Sequence, residues 1–310
     1  MALDTPRSLP TGRVITTADP TVDPIADAAV GPDSAAAVVQ YYHSLESRIG
    51  YQLLLGGTKH FGYYEPDESR WKFAASIRRM ERELANYLDL PAGAIILDGG
   101  CGKGVVATNL ASWQQWQIDG IDLLDFNIAA ARKRAKKQGV GNACTFRVAN
   151  YVDEPLAAEH YDGIYTMETL VHVDRVEAAL DHFYQALKPG GRLVLVEYSR
   201  MPDSNMPKRA ARCMHQINTW GAMPGCERFE HGVLAELVEN AGFCDIVEHD
   251  LTTRIMPMLK AFAQLAWLPY QVVRLFRAES HAVNAMGAVE CYRYLPYWRY
   301  NVIVADKPGA

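Results

Sequence analysis

The protein is a chain of 310 residues in which 31 lysine and arginine residues are set against 36 aspartate and glutamate residues, a formal net charge of −5 at pH 7. This acidic balance argues against a protein that coats nucleic acid, because such a protein needs a basic surface. No apolar run reaches the roughly 20 residues that span a bilayer, so we expect no stable membrane insertion. The six cysteines form no CxxC pair and no secretory signal is evident, which predicts a cytoplasmic protein without a metal site.

The chain before residue 91 divides into two predicted parts. Residues 1–34 are rich in Pro, Ala, Asp and Thr and predict a disordered tail, because they bury too little apolar surface to offset the entropy of ordering. Residues 35–90 are predicted to form an N-terminal helical cap. Apolar side chains at helical spacing predict helices over 35–55 and 69–87, joined by an aromatic-rich loop over 58–66.

From residue 91 onward, short apolar runs alternate with helical patterns, which is typical of parallel βαβ units. We therefore expect an α/β protein: a Rossmann-like, mostly parallel seven-stranded sheet with helices on both faces and a helical aromatic cap. The strands are predicted at 94–97, 118–123, 145–148, 163–167, 192–197, 246–251 and 299–305, with a turn at 188–191 and the last strand at an edge. The divisions expected are a core over 91–200, a cap segment over 201–230, and the rest of the core over 231–310 with a helical insert at about 255–290.

The strongest local signal is an apolar strand that runs into alternating glycines, Ile95-Ile96-Leu97-Asp98-Gly99-Gly100-Cys101-Gly102-Lys103-Gly104. Glycines let backbone amides turn tightly and approach a ligand closely, although a strand-to-helix turn alone also uses them. Asp122 ends the next predicted strand, about 20 residues on, where nucleotide-binding α/β domains place an acid against ribose hydroxyls. The glycines do not match the G-x-G-x-x-G pattern of NAD-binding proteins.

With these motifs the sequence resembles the class I S-adenosylmethionine-dependent methyltransferases. Tyr161-Asp162-Gly163-Ile164-Tyr165 resembles their fourth strand, and Leu187-Lys188-Pro189-Gly190-Gly191-Arg192-Leu193 resembles their turn before strand five. The resemblance implies S-adenosylmethionine as cofactor, with its methionine part beside the glycine loop, its ribose on Asp122 and its adenine near Asn150 and Leu123. The cofactor-binding residues expected are Asp98, Gly100, Cys101, Gly102, Gly104, Asp122, Leu123, Asn150, Tyr151 and Met167.

A narrower resemblance concerns the segment Tyr165-Thr166-Met167-Glu168-Thr169-Leu170-Val171-His172. It is similar to the segment after strand four of sterol and geranyl diphosphate C-methyltransferases, which also have an acidic residue at the position of Glu168. In alkene methylation a carbocation forms, which needs negative charge or aromatic faces nearby and then a base. We therefore expect Glu168 as the catalytic base and His172 as its partner or as the base itself. A helix N-terminal acid and a structural histidine are the alternatives.

The cap supplies candidate substrate contacts, because it is rich in aromatic and basic side chains. The residues expected to bind substrate are Tyr41, Tyr42, Lys59, His60, Tyr63, Tyr198 and Arg212. We expect C-methylation of an alkene in a small isoprenoid, either a prenyl diphosphate or a prenylated natural product. The alternatives are O- or N-methylation of a small aromatic metabolite, and a catalytically silent binding module. Whether the chain forms a homo-oligomer is left open.

Overall fold

A computed structural model describes residues 57–309 of the chain. The predicted tail, the predicted helix over 35–55, Tyr41 and Tyr42 lie outside these described residues. The loop predicted over 58–66 has neither helix nor strand, whereas the helix predicted from residue 69 begins only at Phe73. Elements are numbered below from the first one that the structure describes.

Seven strands form one sheet in the order β3-β2-β1-β4-β5-β7-β6. The pairs among β1 to β5 are all parallel, whereas β7 runs antiparallel to both β5 and β6. The predicted fold class is therefore confirmed. The strands are β1 Ile95–Gly99, β2 Gln117–Asp122, β3 Cys144–Val148, β4 Tyr161–Met167, β5 Leu187–Arg200, β6 Cys244–Asp250 and β7 Trp298–Asp306.

Two predictions about the sheet are wrong in detail. The last strand is not at an edge: β7 lies between β5 and β6, and its central residues are buried because both of its faces are covered. The predicted turn at 188–191 lies inside β5, where the pairing register with β4 shifts between Tyr161 and Gly163. Extra residues in one strand of a pair are accommodated as a bulge, and Gly190, with φ of +75°, supplies the backbone angle.

Nine helices accompany these strands in residues 57–309. They are α1 Phe73–Leu88, α2 Val105–Gln114, α3 Asp125–Gln138, α4 Val176–Ala186, α5 Lys208–Trp220, α6 Pro224–Arg228, α7 Val233–Asn240, α8 Thr252–Leu275 and α9 Val283–Arg293. The predicted insert is thus α8 and α9, which pack against each other and lie between β6 and β7 in the chain.

The apolar core has two main layers, one on each face of the sheet. Successive side chains of a strand point to opposite faces, and the sequence follows this rule. In β5, Val194 and Val196 belong to one cluster while Leu193 and Leu195 belong to the other. All four side chains are 0–1% exposed. The sheet is therefore covered on both faces, and its carboxyl-terminal edge remains for ligands, as is general for open α/β sheets.

Candidate functional site

The glycine loop joins β1 to α2 at the carboxyl-terminal edge of the sheet. Gly100 has φ of +86°, and a Cβ atom there would meet the Thr169 side chain at 2.4 Å. Gly102 has φ of +52°, and a Cβ there would meet nothing within 4 Å. Gly102 therefore leaves open space, and the loop borders a cavity of about 140 Å³.

Asp122 lies at the end of β2 on the wall of this cavity, which we call the cofactor cavity. Its Oδ2 accepts a 2.9 Å hydrogen bond from the Gly102 backbone N–H. Its Oδ1 accepts bonds from the Leu124 N–H at 2.9 Å and from the Asn127 side-chain amide at 3.0 Å. Burial raises the pKa of Asp122, and these donors oppose that shift. The carboxylate thus fixes the glycine loop while it lines the cavity.

Asp98, at the start of the motif, is 3% exposed and lines the same cavity. Its Oδ2 atom is buried and has no hydrogen-bond partner in the described part of the chain. Burial raises the pKa of Asp98 to about 7. A buried polar atom without a partner costs free energy, so it marks a place where a ligand donor fits. Together with the open space at Gly102, this fits the S-adenosylmethionine that the sequence motifs imply.

The other expected cofactor residues are distributed around this cavity. Gly104 does not line it but caps α2 with φ of +67°. The Asn150 amide is engaged in its own turn: Nδ2 donates to Asp153 at 2.5 Å and Oδ1 accepts from the Val152 N–H at 3.0 Å. Burial raises the pKa of the Cys101 thiol well above its usual value, which suits a space-filling role. The expected cofactor-binding residues that do line the cofactor cavity are Asp98, Gly100, Cys101, Gly102, Asp122, Leu123, Asn150, Tyr151 and Met167.

A second, larger cavity of about 450 Å³ lies beside the first. We call it the apolar cavity, because carbon-rich side chains of α5, α8 and α9 supply most of its wall. Phe262 and Ala266 of α8 face it together with Ala288 of α9 and Met214 of α5. Binding sites for small molecules have this composition, apolar walls with few polar groups. The helices of the predicted insert, α8 and α9, therefore help to enclose a ligand-sized space.

Among residues 57–309, three line both cavities: Lys59, His60 and Glu168. The sequence predicted all three as functional residues, and the structure brings them together at one wall, which we call the shared wall. Lys59 and His60 come from the loop before α1, whereas Glu168 follows β4. Desolvation lowers the pKa of Lys59 to about 7, although the charge of Asp122 opposes this. Charged groups thus concentrate where the two cavities meet.

Three donors fix the Glu168 carboxylate. Tyr300 O–H and the Phe61 backbone N–H donate to Oε1 at 2.7 Å and 3.0 Å, and Tyr198 O–H donates to Oε2. Glu168 also adopts φ of +57°, an angle that a glutamate rarely takes and that surrounding structure must hold. Burial raises the pKa of Glu168, and the tyrosine hydrogen bonds oppose that shift. The site therefore presents an oriented carboxylate at the shared wall.

Glu197, in β5, is a buried carboxylate that the sequence analysis did not single out. Its Oε1 accepts hydrogen bonds from the backbone N–H groups of Thr169 at 3.0 Å and Leu170 at 2.8 Å. Burial raises the pKa of Glu197 to about 8. These bonds hold the turn that carries Glu168, which explains how its positive φ is maintained. An acidic residue inside an apolar strand was the signal available in the sequence.

His172 lines the cofactor cavity but not the apolar cavity. Its Nδ1 lies 2.7 Å from the Ala222 carbonyl oxygen, so Nδ1 carries the hydrogen. Desolvation lowers the pKa of His172 to about 4, which makes the ring neutral near pH 7. Its role as base or partner of Glu168 stays a prediction.

The predicted substrate contacts divide into two groups. Tyr198 lines the apolar cavity with Lys59 and His60. Tyr63 and Arg212 do not line it: the guanidinium of Arg254 lies 5.0 Å from the centre of the Tyr63 ring, and Arg212 is exposed on α5. The sequence analysis also missed Tyr300 and Phe61 as site residues. Each lies in an aromatic-rich segment, Phe61 in the loop before α1 and Tyr300 near the start of β7. That composition was the only indication of them in the sequence.

Comparisons with known proteins agree with this architecture. A family model described as a methyltransferase domain matches residues 71–248. The S-adenosyl-L-methionine-dependent Diels-Alderase iccD of Talaromyces variabilis is 38% identical over 280 residues, which cover 88% of this chain and 95% of that protein.

Two solved structures share the fold. The [4+2]-cyclase SpnF superposes with a TM-score of 0.72 at 23% identity, over 90% of this chain and 98% of that chain. The geranyl diphosphate C-methyltransferase of Streptomyces coelicolor A3(2) superposes with a TM-score of 0.67 at 17% identity, over 90% and 99% of the two chains. Within residues 57–309, no helix has the length and apolar character needed to cross a membrane.

Proposed function

This chain belongs to the family of S-adenosylmethionine-dependent methyltransferases, and from that premise we propose that it closes a ring by [4+2] cycloaddition in an apolar secondary metabolite. S-adenosylmethionine is its cofactor. The reaction joins a conjugated diene to an alkene: two carbon–carbon σ bonds form at the expense of two π bonds. No atom leaves, so the product is an isomer of the substrate.

The observation that carries this proposal is the apolar cavity. Its volume of about 450 Å³ and its apolar wall suit an apolar small molecule. A cycloaddition needs the two reacting segments to be held together in one geometry, and holding them supplies much of the rate gain. The wall of the apolar cavity includes rigid, flat aromatic rings, those of Phe61, Phe262 and Trp298. The main role of the apolar cavity is therefore to hold the two reacting segments of the substrate together.

The shared wall supplies the polar part of the reaction. S-adenosylmethionine, when bound, supplies a sulfonium cation and a transferable methyl group, and ionised Glu168 supplies the opposite charge in the cavity that would hold it. Lys59 carries N–H donors at this wall, and such donors stabilise charge that develops on a carbonyl oxygen conjugated to the reacting alkene. A carbonyl-activated alkene is therefore the substrate feature that this residue favours.

Similarity in sequence supports the same activity. A protein named as a Diels-Alderase that depends on S-adenosyl-L-methionine is 38% identical, and the match spans 95% of its length. The match also covers 88% of this chain. The substrate class follows from the wall of the cavity: an apolar polyene with a conjugated diene and one polarised alkene.

Methylation at carbon of an isoprenoid alkene is the second candidate, and the oriented Glu168 favours it. A carbocation beside Glu168 would meet a carboxylate and the aromatic faces of Tyr198 and Phe61, whose ring centres are 6.4 Å apart. A prenylated natural product fits better than a prenyl diphosphate. Two of the three described basic residues that line the apolar cavity, Lys59, His60 and Arg200, are already paired within the chain: Arg200 with Asp203 and His60 with Glu81.

One incubation distinguishes the candidates. The protein is mixed with S-adenosylmethionine and a panel of linear polyenes with an activated alkene, prenylated phenols and prenyl diphosphates. A cyclase gives a product of unchanged mass and leaves the cofactor intact. A C-methyltransferase or an O-methyltransferase adds about 14 mass units and forms S-adenosylhomocysteine, and the methylated atom identifies which.

A further inference from the structure

A buried pair of ionisable side chains lies behind the shared wall, and the proposed reaction does not use it directly. His60 is 4% exposed and Glu81, on α1, is 0% exposed. The His60 Nε2 atom is 3.7 Å from Glu81 Oε1. Glu81 Oε2 accepts a 2.8 Å hydrogen bond from the Asn109 side-chain amide on α2. The pair is therefore held between two helices and the loop before α1.

The geometry determines where hydrogens lie on the His60 ring. Nδ1 is 2.9 Å from the Phe61 carbonyl oxygen, and a carbonyl oxygen only accepts, so Nδ1 carries a hydrogen. A neutral ring would then direct the Nε2 lone pair towards an ionised carboxylate. Two acceptors facing each other in a buried site repel. One proton must therefore be held on the pair, either on Nε2 or on Glu81.

Other charged groups face His60 from several elements. Glu81 faces it from α1, Asp98 from β1 and Glu168 from the turn after β4, and Lys59 adjoins it in the chain. The charges of Glu81 and Glu168 favour the protonated ring, although desolvation opposes it. Glu81, whose Oε1 lies 3.7 Å from the ring Nε2, makes the larger favourable contribution. The two carboxyl groups together therefore favour the imidazolium form of His60.

The next residue links the pair to the site. The Phe61 carbonyl accepts from His60, and the Phe61 N–H donates to Glu168 Oε1 at 3.0 Å. The His60 charge also favours the ionised form of Glu168. The backbone of one residue, Phe61, and one cation thus connect Glu81 to the carboxylate at the shared wall.

We propose that Glu81 is a positioning residue: it keeps His60 as an imidazolium, and that cation holds Glu168 in its ionised, oriented form between the two cavities. Loss of the Glu81 charge releases the proton from His60, and Glu168 then gains one more readily. The consequence for the reaction rests on the proposed function, whereas the protonation state of His60 does not.

The test reads the ring nitrogens of His60 directly in the full chain. Nuclear magnetic resonance spectra of ¹⁵N-histidine-labelled protein are recorded from about pH 5.5 to 8.5, and His60→Gln identifies its signals among the nine histidines. The wild-type His60 should show imidazolium nitrogens at pH 7. A neutral ring in the wild type at pH 7 overturns the proposal, and this result does not depend on any variant.

Glu81→Gln removes the charge with little change in shape. At pH 7 the His60 signals of this variant should be those of a neutral ring. We expect the pKa of His60 to fall by at least about one unit. The matched control is Glu83→Gln, two residues along the same helix and not on either cavity wall, in which His60 should stay charged. Unchanged His60 signals in a folded Glu81→Gln protein contradict the assignment.

The effect of Glu81 on the reaction rate is measured with the ring-closure assay. The Glu81→Gln variant should lose at least about tenfold in kcat with a smaller change in KM, and its pH–rate curve should move to higher pH. Glu81→Asp keeps the charge and should restore most of the rate. An intact rate in Glu81→Gln with a neutral His60 overturns the link to Glu168. Absence of ring closure in the wild type would instead contradict the proposed function and leave the spectroscopic result standing.

Discussion

The Tyr300 hydroxyl, on the last strand of the sheet, donates a 2.7 Å hydrogen bond to Glu168, which is 132 residues earlier in the chain. The contact forms because β7 inserts beside β5, so that its first half reaches the turn after β4. Together with Tyr198, it makes Glu168 a carboxylate held by two phenols. The site therefore depends on the antiparallel end of the sheet as well as on the parallel part that carries the glycine loop.

Replacement of Tyr300 by phenylalanine should slow the reaction. The variant loses one hydrogen bond to a charged group, a contribution of about 1.5–3 kcal/mol, or roughly tenfold to a hundredfold in rate. Because that bond lowers the pKa of Glu168, the pKa rises in the variant. The acidic limb of the pH–rate curve should then shift to higher pH, as kinetics from about pH 5 to 8 will show.

Tyr297→Phe is the matched control for this substitution. Tyr297 lies in the short 3₁₀ turn before β7 and lines neither cavity. Its rate and its pH–rate curve should match those of the wild type. An unshifted acidic limb in Tyr300→Phe would show that the ionisation of Glu168 does not govern the rate.

Replacement of Asp122 by asparagine should weaken cofactor binding. The carboxylate accepts from the Gly102 and Leu124 backbone N–H groups, and a neutral amide accepts more weakly, so the glycine loop loosens. We expect a loss of about 1–3 kcal/mol in the binding free energy of S-adenosylmethionine, measured by calorimetry. Asp125→Asn, at the exposed start of α3, should bind normally. Equal affinity for the two variants would remove Asp122 from the cofactor site.

The sequence predicted residues that line the cofactor cavity, and the reason is local. Asp98, Gly100 and Gly102 lie within five consecutive residues, and Asp122 follows at the end of the next strand, so one βαβ unit brings them together. The position of β7 was not predictable in this way. A strand pattern indicates that residues pair, but it does not say which strands lie on either side, and β7 enters between β5 and β6.

A bulky side chain in the apolar cavity should block the substrate and not the cofactor. Ala266, on α8, lines this cavity but not the cofactor cavity. In Ala266→Trp, the larger ring occupies part of the space of about 450 Å³, so KM should rise or turnover should disappear. Calorimetry should give an unchanged affinity for S-adenosylmethionine.

Gln264→Trp is the matched control for Ala266→Trp. It places the same tryptophan side chain on the same helix, at an exposed position. Its kinetics should equal those of the wild type. If Ala266→Trp turned the substrate over normally, the substrate would have to bind somewhere other than the apolar cavity.

Removal of the His172 ring should change how stability depends on pH. The pKa of His172 is lowered to about 4 in the folded protein, against about 6.5 in an unfolded chain. Between these values the unfolded chain binds a proton that the folded protein does not, so acidification lowers the free energy of unfolding. Urea unfolding of His172→Gln should therefore show a smaller loss of stability between pH 7 and pH 5 than the wild type shows.

His281→Gln, at an exposed position, serves as the comparison and should lose stability as the wild type does. The same acid sensitivity in His172→Gln as in the wild type would contradict a buried neutral ring. The result also bears on catalysis, because a ring that is neutral at pH 7 and bonded to Ala222 cannot act as an imidazolium acid.

The wall of the apolar cavity was predicted only in part, because it is assembled from distant segments. Lys59, His60 and Glu168 were identified from short motifs, since each adjoins glycines, aromatic residues or a strand end. Tyr63 and Arg212 share that composition but point elsewhere, and Tyr300 contributes through a strand whose neighbours the sequence does not specify. Composition therefore indicates which segments form a cap, whereas packing decides which side chains reach the cavity.

The most direct test of ring closure without methyl transfer is to measure cofactor and product in the same reaction. The protein is incubated with S-adenosylmethionine labelled at its methyl group and a linear polyene that carries a diene and an activated alkene, and both are analysed by mass spectrometry. We predict a cyclic product of unchanged mass, unlabelled, with no S-adenosylhomocysteine formed and no product when the cofactor is omitted. A labelled product, formed together with an equal amount of S-adenosylhomocysteine, would contradict ring closure as the function and establish methyl transfer.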